Sequence, residues 1–226
     1  SGYDGDSALS YEFNPGLYPQ WDDRRPYISD ACPSQFSFMD CIFNKCYARV
    51  QGGALHFCAE NSDLIMKRNT FIECRITNET EDTYGAGVRI EKAKAADIWR
   101  CCFIDCTGPQ KLIGAAIMSY CKEKTILNYI GSVHSQETQR TNGPPFHIEA
   151  PHVESQYINT TGAKSYKASG IIYLNVNNGF FQYHTISKCR GHNLVSLHSV
   201  SADNSVNLKF FNIESIMSEI ESNLNI

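Results

Sequence analysis

The side chains with which this chain could do chemistry are its histidines, cysteines and acidic residues. The 226 residues include ten cysteines and seven histidines. The histidines are scattered along the chain, as His56, His134, His147, His152, His184, His192 and His198. No Ser/His/Asp or Cys/His spacing typical of a nucleophilic enzyme is present, and no Cys-x-x-Cys or Cys/His pair has the spacing of a zinc site. The sequence therefore predicts no catalytic residue, no metal ion and no cofactor.

Three cysteines recur at one position of a repeated hexapeptide, as Cys46, Cys74 and Cys106. Small, polarisable side chains stack well inside a repetitive core, so we interpret this row as stacked thiols. Cys41 and Cys101 share another position but lie two repeats apart, which at about 4.8 Å per repeat is too far for a disulfide. One or two disulfides elsewhere in the chain remain an alternative.

A polar run at residues 134–145 offers hydrogen-bonding groups without a large apolar anchor. It contains the candidate binding-loop residues Gln136, Glu137, Gln139, Arg140 and Asn142. Binding residues concentrate in loops that a rigid scaffold displays, so this run is the candidate ligand-binding loop. A solvent-exposed loop without a partner is the alternative.

Two sequons predict N-linked glycans, at Asn78 and at Asn159. Asn78 lies in a polar insertion, where a glycan is tolerated. Asn159 lies in a predicted strand and turn, which favours a glycan less.

The element that must position these residues is a repeat of about 28 residues. Its clearest copies are the hexapeptides Cys41-Ile-Phe-Asn-Lys-Cys46, Asn69-Thr-Phe-Ile-Glu-Cys74 and Cys101-Cys-Phe-Ile-Asp-Cys106. The lead hydrophobic residues of all copies are Phe43, Phe71, Phe103, Ile130, Tyr157, Ile186 and Ile213. A fixed period in this range is typical of stacked units that bury a core only against their neighbours.

Between the hexapeptides, small residues precede alternating strands, as at residues 52–58, 85–90 and 114–120. Short strands with a period of two, and no helix long enough for a crossover, predict an all-β fold. We predict a right-handed parallel β-helix of about seven coils. Phe43, Phe71 and Phe103 should form one buried column, and Lys45, Glu73 and Asp105 should face solvent as a charge ladder.

The segment 1–33 breaks the repeat, and the β-helix is expected to occupy residues 34–226. Because an open strand edge invites aggregation, we interpret the aromatic N-terminal segment as a cap on the first coil. A carbohydrate-stacking surface is the alternative. The last coil ends without a polar cap, which indicates a fragment of a longer protein.

Composition excludes two classes of partner. The formal net charge is −4 and no run of lysine or arginine is present, which argues against nucleic acid. No apolar run approaches 18 residues, so this segment is not expected to insert in a membrane.

Parallel β-helices also include polysaccharide lyases and polygalacturonase-like hydrolases. The hydrolase pattern is Asn-Thr-Asp, Asp-Asp, Gly-His-Gly and Arg-Ile-Lys, in that order. Here Asp22-Asp23 lies in the cap, Arg89-Ile-Glu91 precedes Gly191-His-Asn193, and Asn-Thr-Asp is absent. The pattern is incomplete and out of order, so a carbohydrate-active enzyme or an inactive relative is the lesser alternative.

Gly52-Gly-Ala-Leu55 resembles the GGA[ILV] signature of the polymorphic outer-membrane-protein repeats, a family of bacterial surface adhesins. The companion F-x-x-N motif is F-x-x-C here, as in Phe71-Ile-Glu-Cys74, and the resemblance covers about residues 36–121. It implies a β-helix that adheres to host surfaces and has no catalytic residues.

We therefore expect a non-enzymatic adhesion or ligand-recognition domain, extracellular or at the cell surface. Its partner would be a protein or carbohydrate on a host or neighbouring cell. An intracellular, cytoplasmic scaffold that binds another protein is a further alternative, because secreted chains rarely keep many thiols.

Overall fold

The computed structural model describes residues 12–13, 27–30, 35–49, 51–77, 82–109, 112–135, 144–164, 168–189, 193–197, 205–215 and 224–225. Within these ranges the regular structure is entirely β. The strands are β1 (Glu12–Phe13), β2 (Tyr27–Asp30), β3 (Gln35–Met39), β4 (Ile42–Asn44), β5 (Tyr47–Ala48), β6 (Leu55–Ala59), β7 (Asp63–Lys67), β8 (Thr70–Ile72), β9 (Arg75–Ile76), β10 (Thr83–Tyr84), β11 (Val88–Trp99), β12 (Cys102–Ile104), β13 (Leu112–Ile113), β14 (Ile117–Val133), β15 (Phe146–Glu149), β16 (His152–Thr161), β17 (Ala168–Leu174), β18 (Asn178–Cys189), β19 (Asn193–Leu197), β20 (Ser205–Ser215) and β21 (Leu224–Asn225).

Seventeen strands stack in parallel register on three faces of a solenoid, and the other four pair as β5 with β9 and β10 with β13. The first face contains β2, β6, β15, β17, β19, β21 and the first parts of β11 and β14. The second face contains β3, β7 and the segments of β11, β14, β16, β18 and β20 that pair in the same register. The third face contains β1, β4, β8, β12 and the last parts of β14, β16, β18 and β20. The predicted parallel β-helix is confirmed.

Five turns have all three faces described without a break, at residues 55–72, 88–104, 117–133, 146–161 and 171–187. A further turn at each end, interrupted by residues outside the described ranges, brings the second face to seven strands. The five unbroken turns are therefore slightly fewer than the seven coils that the sequence predicts.

Alternation along each strand explains the core. In β7, Leu64 and Met66 are fully buried while the other three residues are partly exposed. The rings of Phe43, Phe71 and Phe103 stack at centroid distances of 4.7 and 4.6 Å, with interplanar angles of 1° and 3°. The predicted phenylalanine column is confirmed, and Cys46, Cys74 and Cys106 are buried beside it.

The lead hydrophobic residues of the next two repeat copies do not continue this column. Phe103 pairs with Ser132, and Ser132 pairs with Thr160, so these two residues continue the column in place of Ile130 and Tyr157. Ile130 is buried two positions earlier, and Tyr157 is 40% exposed. Ile186, the lead hydrophobic residue of a later copy, lies in the column again, because it pairs with Thr160.

The small-residue motifs form the turn that leads into the first face. Gly52, Gly85 and Gly114 have φ of 59°, 61° and 66°, a left-handed conformation that glycine adopts without steric cost. At Gly53 an added Cβ would lie 2.2 Å from the carbonyl oxygen of Ala86 in the next turn. Close approach of successive turns therefore explains the Gly-Gly-Ala sequence.

Two corners of the solenoid hold one left-handed residue per turn. Corner A joins the second face to the third, and corner B follows the third face. Corner A comprises Asp40, Arg68, Arg100, Tyr129, Tyr157 and Tyr183, and corner B comprises Lys45, Glu73, Asp105, His134, Gly162 and Lys188. Their φ angles lie between 50° and 73°, so each turn bends at the same two places.

The segment 1–33 contributes two strands to the sheet. Glu12 pairs with Ile42 and Tyr27 pairs with His56, both in parallel register. The rest of this segment, including Tyr18 and Trp21, lies outside the described residues, so the cap and the carbohydrate-stacking alternative stay predictions. Of the C-terminal segment 216–226, only Leu224–Asn225 are described, and they form a short strand.

Candidate functional site

Most of the predicted site residues lie outside the described part of the chain. These are Gln136, Glu137, Gln139, Arg140 and Asn142 of the candidate binding loop, and the sequon residue Asn78. Asn159 is described, and it projects as an exposed residue from β16 on the third face. Its Oδ1 accepts a hydrogen bond from Thr161 Oγ1 at 3.3 Å. The glycosylation sites and the binding loop remain predictions.

The third face carries an exposed apolar patch that the sequence analysis did not identify. The outward apolar residues at its N-terminal end are Ile42, Ile72, Cys102, Ile104 and Val133, and the polar residues Asn44 and Thr70 lie among them. Ile42 is 46% exposed and Val133 is 36% exposed. Outward residues of the later turns are polar, among them Asn159 and Thr185. The face is therefore predominantly apolar in its first half and polar in its second.

Corner A borders this face with a ladder of three tyrosines. Tyr129, Tyr157 and Tyr183 are 47%, 40% and 39% exposed. Their rings stack at 4.5 and 4.7 Å, with interplanar angles of 4° and 9°. Since both faces of the Tyr157 ring lie against neighbouring rings, this middle tyrosine presents its edge and hydroxyl to a ligand. Sugars stack on ring faces, so this ladder suits polar contacts at ring edges better than carbohydrate stacking.

Charged residues continue corner A towards the N-terminus. Arg68 Nε donates to Asp40 Oδ1 at 2.6 Å, and this hydrogen bond lowers the pKa of Asp40. The guanidinium of Arg100 lies 4.5 Å from the Trp99 ring centroid and 5.9 Å from that of Tyr129. Corner B carries Lys45 and Glu73, whose charged groups are 4.0 Å apart, and the predicted outward ladder is confirmed. The apolar patch is therefore bordered by charge on both sides.

A second cluster lies on the outward side of the first face. His56 and Cys58 project from β6, and Arg89 and Glu91 project from the neighbouring β11. One ligand atom from each of His56, Cys58 and Glu91 lies within 4.8 Å of the others. Arg89 Nη2 donates to Glu91 Oε2 at 3.2 Å, and its guanidinium lies 4.3 Å from the centroid of the Tyr84 ring. The sequence analysis predicted no metal ion and did not identify this group.

The electrostatics of this cluster follow from partial burial. Burial raises the pKa of the Cys58 thiol, and the charge of Glu91 adds to that effect. Burial alone would raise the pKa of Glu91, but the charges of Arg89 and His56 outweigh it and lower that pKa. Without a bound cation, the thiol is therefore protonated and the carboxylate is charged at neutral pH.

A Ser–His–Tyr network inside the solenoid resembles catalytic chemistry only in composition. Ser155 Oγ lies 2.8 Å from the Tyr173 hydroxyl and 3.1 Å from His184 Nε2. All three side chains are at most 1% exposed, and burial lowers the pKa of His184 to about 4. No substrate reaches atoms enclosed in the core, so these hydrogen bonds stabilise the interior.

The described cysteines are not arranged as nucleophiles. All nine are thiols, and burial raises the pKa of Cys101 to about 12 and those of Cys74 and Cys106 well above the usual range. Reactive cysteines need a lowered pKa and an accessible sulfur. The stacked-thiol interpretation of the cysteine row agrees with this arrangement.

Comparison of the chain with protein families, with curated proteins and with solved structures finds no match. The resemblance to the outer-membrane-protein repeats therefore stays a prediction. Within the described residues, no helix has the length and hydropathy of a membrane span.

Proposed function

We propose that this chain is a non-enzymatic recognition β-helix, secreted or displayed at the cell surface. It binds a protein on a host or neighbouring cell through its third face and corner A. The observation that carries this proposal is the placement of the exposed large hydrophobic residues. Six are exposed among the residues that the structure describes, and five of them lie on this face or its bordering corner: Ile42, Tyr129, Val133, Tyr157 and Tyr183. Contiguous exposed apolar patches on soluble proteins favour interaction sites.

A protein partner fits this surface better than a carbohydrate. Tyrosine is enriched among the residues that contribute most to protein–protein binding, because it combines apolar area with a polar tip. In corner A, Tyr157 has both ring faces covered by Tyr129 and Tyr183, which leaves its edge and hydroxyl for the partner. The flanking charges of Asp40, Arg68 and Lys45 would form the polar rim that surrounds an interface core.

The test is attachment of the fluorescently labelled chain to cultured animal cells. Tyr157→Ser should reduce attachment about tenfold or more, as loss of a central interface tyrosine does. Tyr120→Ser is the matched control, since Tyr120 is 42% exposed but lies in β14 on the first face. Trypsin treatment of the cells should abolish attachment, whereas enzymatic removal of their glycans should not.

Three outcomes contradict the proposal in different ways. Equal attachment of the Tyr157→Ser variant and the wild type would exclude the third face and corner A. Loss of attachment after glycan removal would identify a carbohydrate ligand. Absence of attachment by the wild type would remove the support for adhesion.

A further inference from the structure

The pairing of β6 with β11 brings three metal-binding side chains together. In β6, Leu55, Phe57 and Ala59 point into the core, so His56 and Cys58 project from the opposite side. Cys58 pairs in register with Glu91 of the next turn. An imidazole, a thiol and a carboxylate from neighbouring strands therefore converge on one small volume.

The distances are close to those of a coordination sphere. His56 Nε2 lies 3.4 Å from Glu91 Oε2, and the three donor atoms lie within 4.8 Å of one another. Zinc bonds of about 2.0 to 2.3 Å in a tetrahedral site place neighbouring donors roughly 3.3 to 3.8 Å apart. Small rotations of the Cys58 and Glu91 side chains, which are both partly exposed, would bring the donors to that spacing.

The set of donors selects the metal. Calcium and magnesium take oxygen ligands, so the nitrogen and sulfur donors of His56 and Cys58 disfavour them. Zinc accepts histidine, cysteinate and carboxylate together, and three protein ligands leave a position for water. Deprotonated Cys58 and Glu91 together carry two negative charges, which balance Zn²⁺.

Arg89 is a cation already in this cluster, and it is compatible with a metal. Its guanidinium packs on the Tyr84 ring, and the contacts of Arg89 and His56 with the carboxylate both fall on Glu91 Oε2. A carboxylate has a second oxygen, which can bind a cation while Arg89 stays in place. Arg89 would then orient Glu91 from outside the coordination sphere, as hydrogen-bonded partners of metal ligands do.

We propose that His56, Cys58 and Glu91 bind one zinc ion on the outward side of the first face, with water as the fourth ligand. The ion would cross-link two successive turns, since β6 and β11 belong to different turns. The site lies on the first face, so it is independent of the recognition surface on the third face.

The test is titration of the chelator-treated, reduced protein with Co²⁺ and with Zn²⁺. The wild type should bind one equivalent of Co²⁺ and show thiolate-to-cobalt charge-transfer absorption, which Zn²⁺ then displaces. Cys58→Ser should lose that absorption, and Glu91→Gln should weaken Zn²⁺ binding about tenfold or more. A variant of buried His56 could fail to fold, so the test uses Glu91, whose side chain is partly exposed.

Cys102→Ser is the matched control. Cys102 is also a partly exposed, outward cysteine, but it lies in β12 on the third face. This variant should bind Co²⁺ with the wild-type spectrum and stoichiometry. Unchanged charge-transfer absorption in Cys58→Ser, or no binding of either metal by the folded wild type, would overturn the proposal.

Discussion

Asn69 shows how a single buried polar residue joins neighbouring turns. It is fully buried and lies between Cys41 of the preceding turn and Cys101 of the next. Its Oδ1 accepts from the Cys41 amide at 2.9 Å, and its Nδ2 donates to the Phe38 carbonyl at 2.9 Å. Its own carbonyl accepts from the Cys102 amide at 3.0 Å. Asn69 thereby satisfies backbone groups where the second face bends into the third.

Replacing Asn69 by alanine should destabilise the fold by about 2 to 4 kcal/mol, because an amide and a carbonyl would be buried without partners. Urea denaturation followed by circular dichroism measures the loss. Asn128→Ala is the control, since Asn128 is an outward, partly exposed residue of β14 and should cost less than about 0.5 kcal/mol. Similar losses for the two variants would show that the hydrogen bonds of Asn69 contribute little.

At the scale of the elements, corners rather than loops set the shape of each turn. Single residues with positive φ in corners A and B allow one strand to pass into the next with almost no connecting chain. β14 runs through all three faces as a continuous strand of 17 residues, and Tyr129 of corner A makes its bend from the second face to the third. Most of these corner residues are not glycine, so each costs about 1 to 2 kcal/mol of backbone strain.

A glycine at a corner should therefore stabilise the solenoid. Lys188 is an exposed residue of corner B with φ of 54°. Lys188→Gly should raise the free energy of unfolding by about 0.5 to 1 kcal/mol, since relief of strain exceeds the added chain entropy. Lys67→Gly, in the extended strand β7, should lower it by a similar amount. A loss of stability at both positions would show that the corner is not strained.

At the scale of the whole molecule, a continuous core makes stability depend on every turn. The interior is mainly apolar, yet the turns around Ser155 enclose a hydrogen-bonded histidine, His184. Its folded-state pKa of about 4 is below its ordinary value of 6.5, because burial disfavours the charged imidazolium. Between these two values the unfolded chain binds a proton that the folded chain does not.

Acid should therefore destabilise the folded chain. The contribution of neutral His184 is fully present above pH 6.5 and is lost as the pH falls towards 4, by about 3 kcal/mol at most. Urea midpoints between pH 7 and pH 4 measure this slope, and His184→Gln should reduce it by about half, because burial lowers the pKa of His147 to about 4 as well. His134→Gln, a change at an exposed residue of corner B, should keep the slope because His184 is intact. An unchanged slope in His184→Gln would assign the acid sensitivity to other groups.

The repeat, the alternation of core residues and the glycine-rich turns are local patterns, so the sequence alone determined the parallel β-helix and the columns of Phe43, Phe71 and Phe103 and of Cys46, Cys74 and Cys106. The sequence did not predict the strand register where the side chain at the column position is not a large hydrophobic one. Ser132 and Thr160 carry the column without a hydrophobic signal, whereas the large side chain of Tyr157 suggested a core position that it does not occupy.

Both candidate sites were decided only by the tertiary structure. His56 and Cys58 are visibly two residues apart on one strand, but Glu91 follows Cys58 by 33 positions across an insertion. Only the pairing of β6 with β11 fixes which residue of the longer turn lies beside Cys58. The tyrosine ladder likewise depends on corner A, because left-handed backbone at Tyr129, Tyr157 and Tyr183 turns these rings out of the alternation that the sequence displays. Periodicity specifies which residues are inside a stack of turns, whereas the length and bend of each turn specify which outward residues meet.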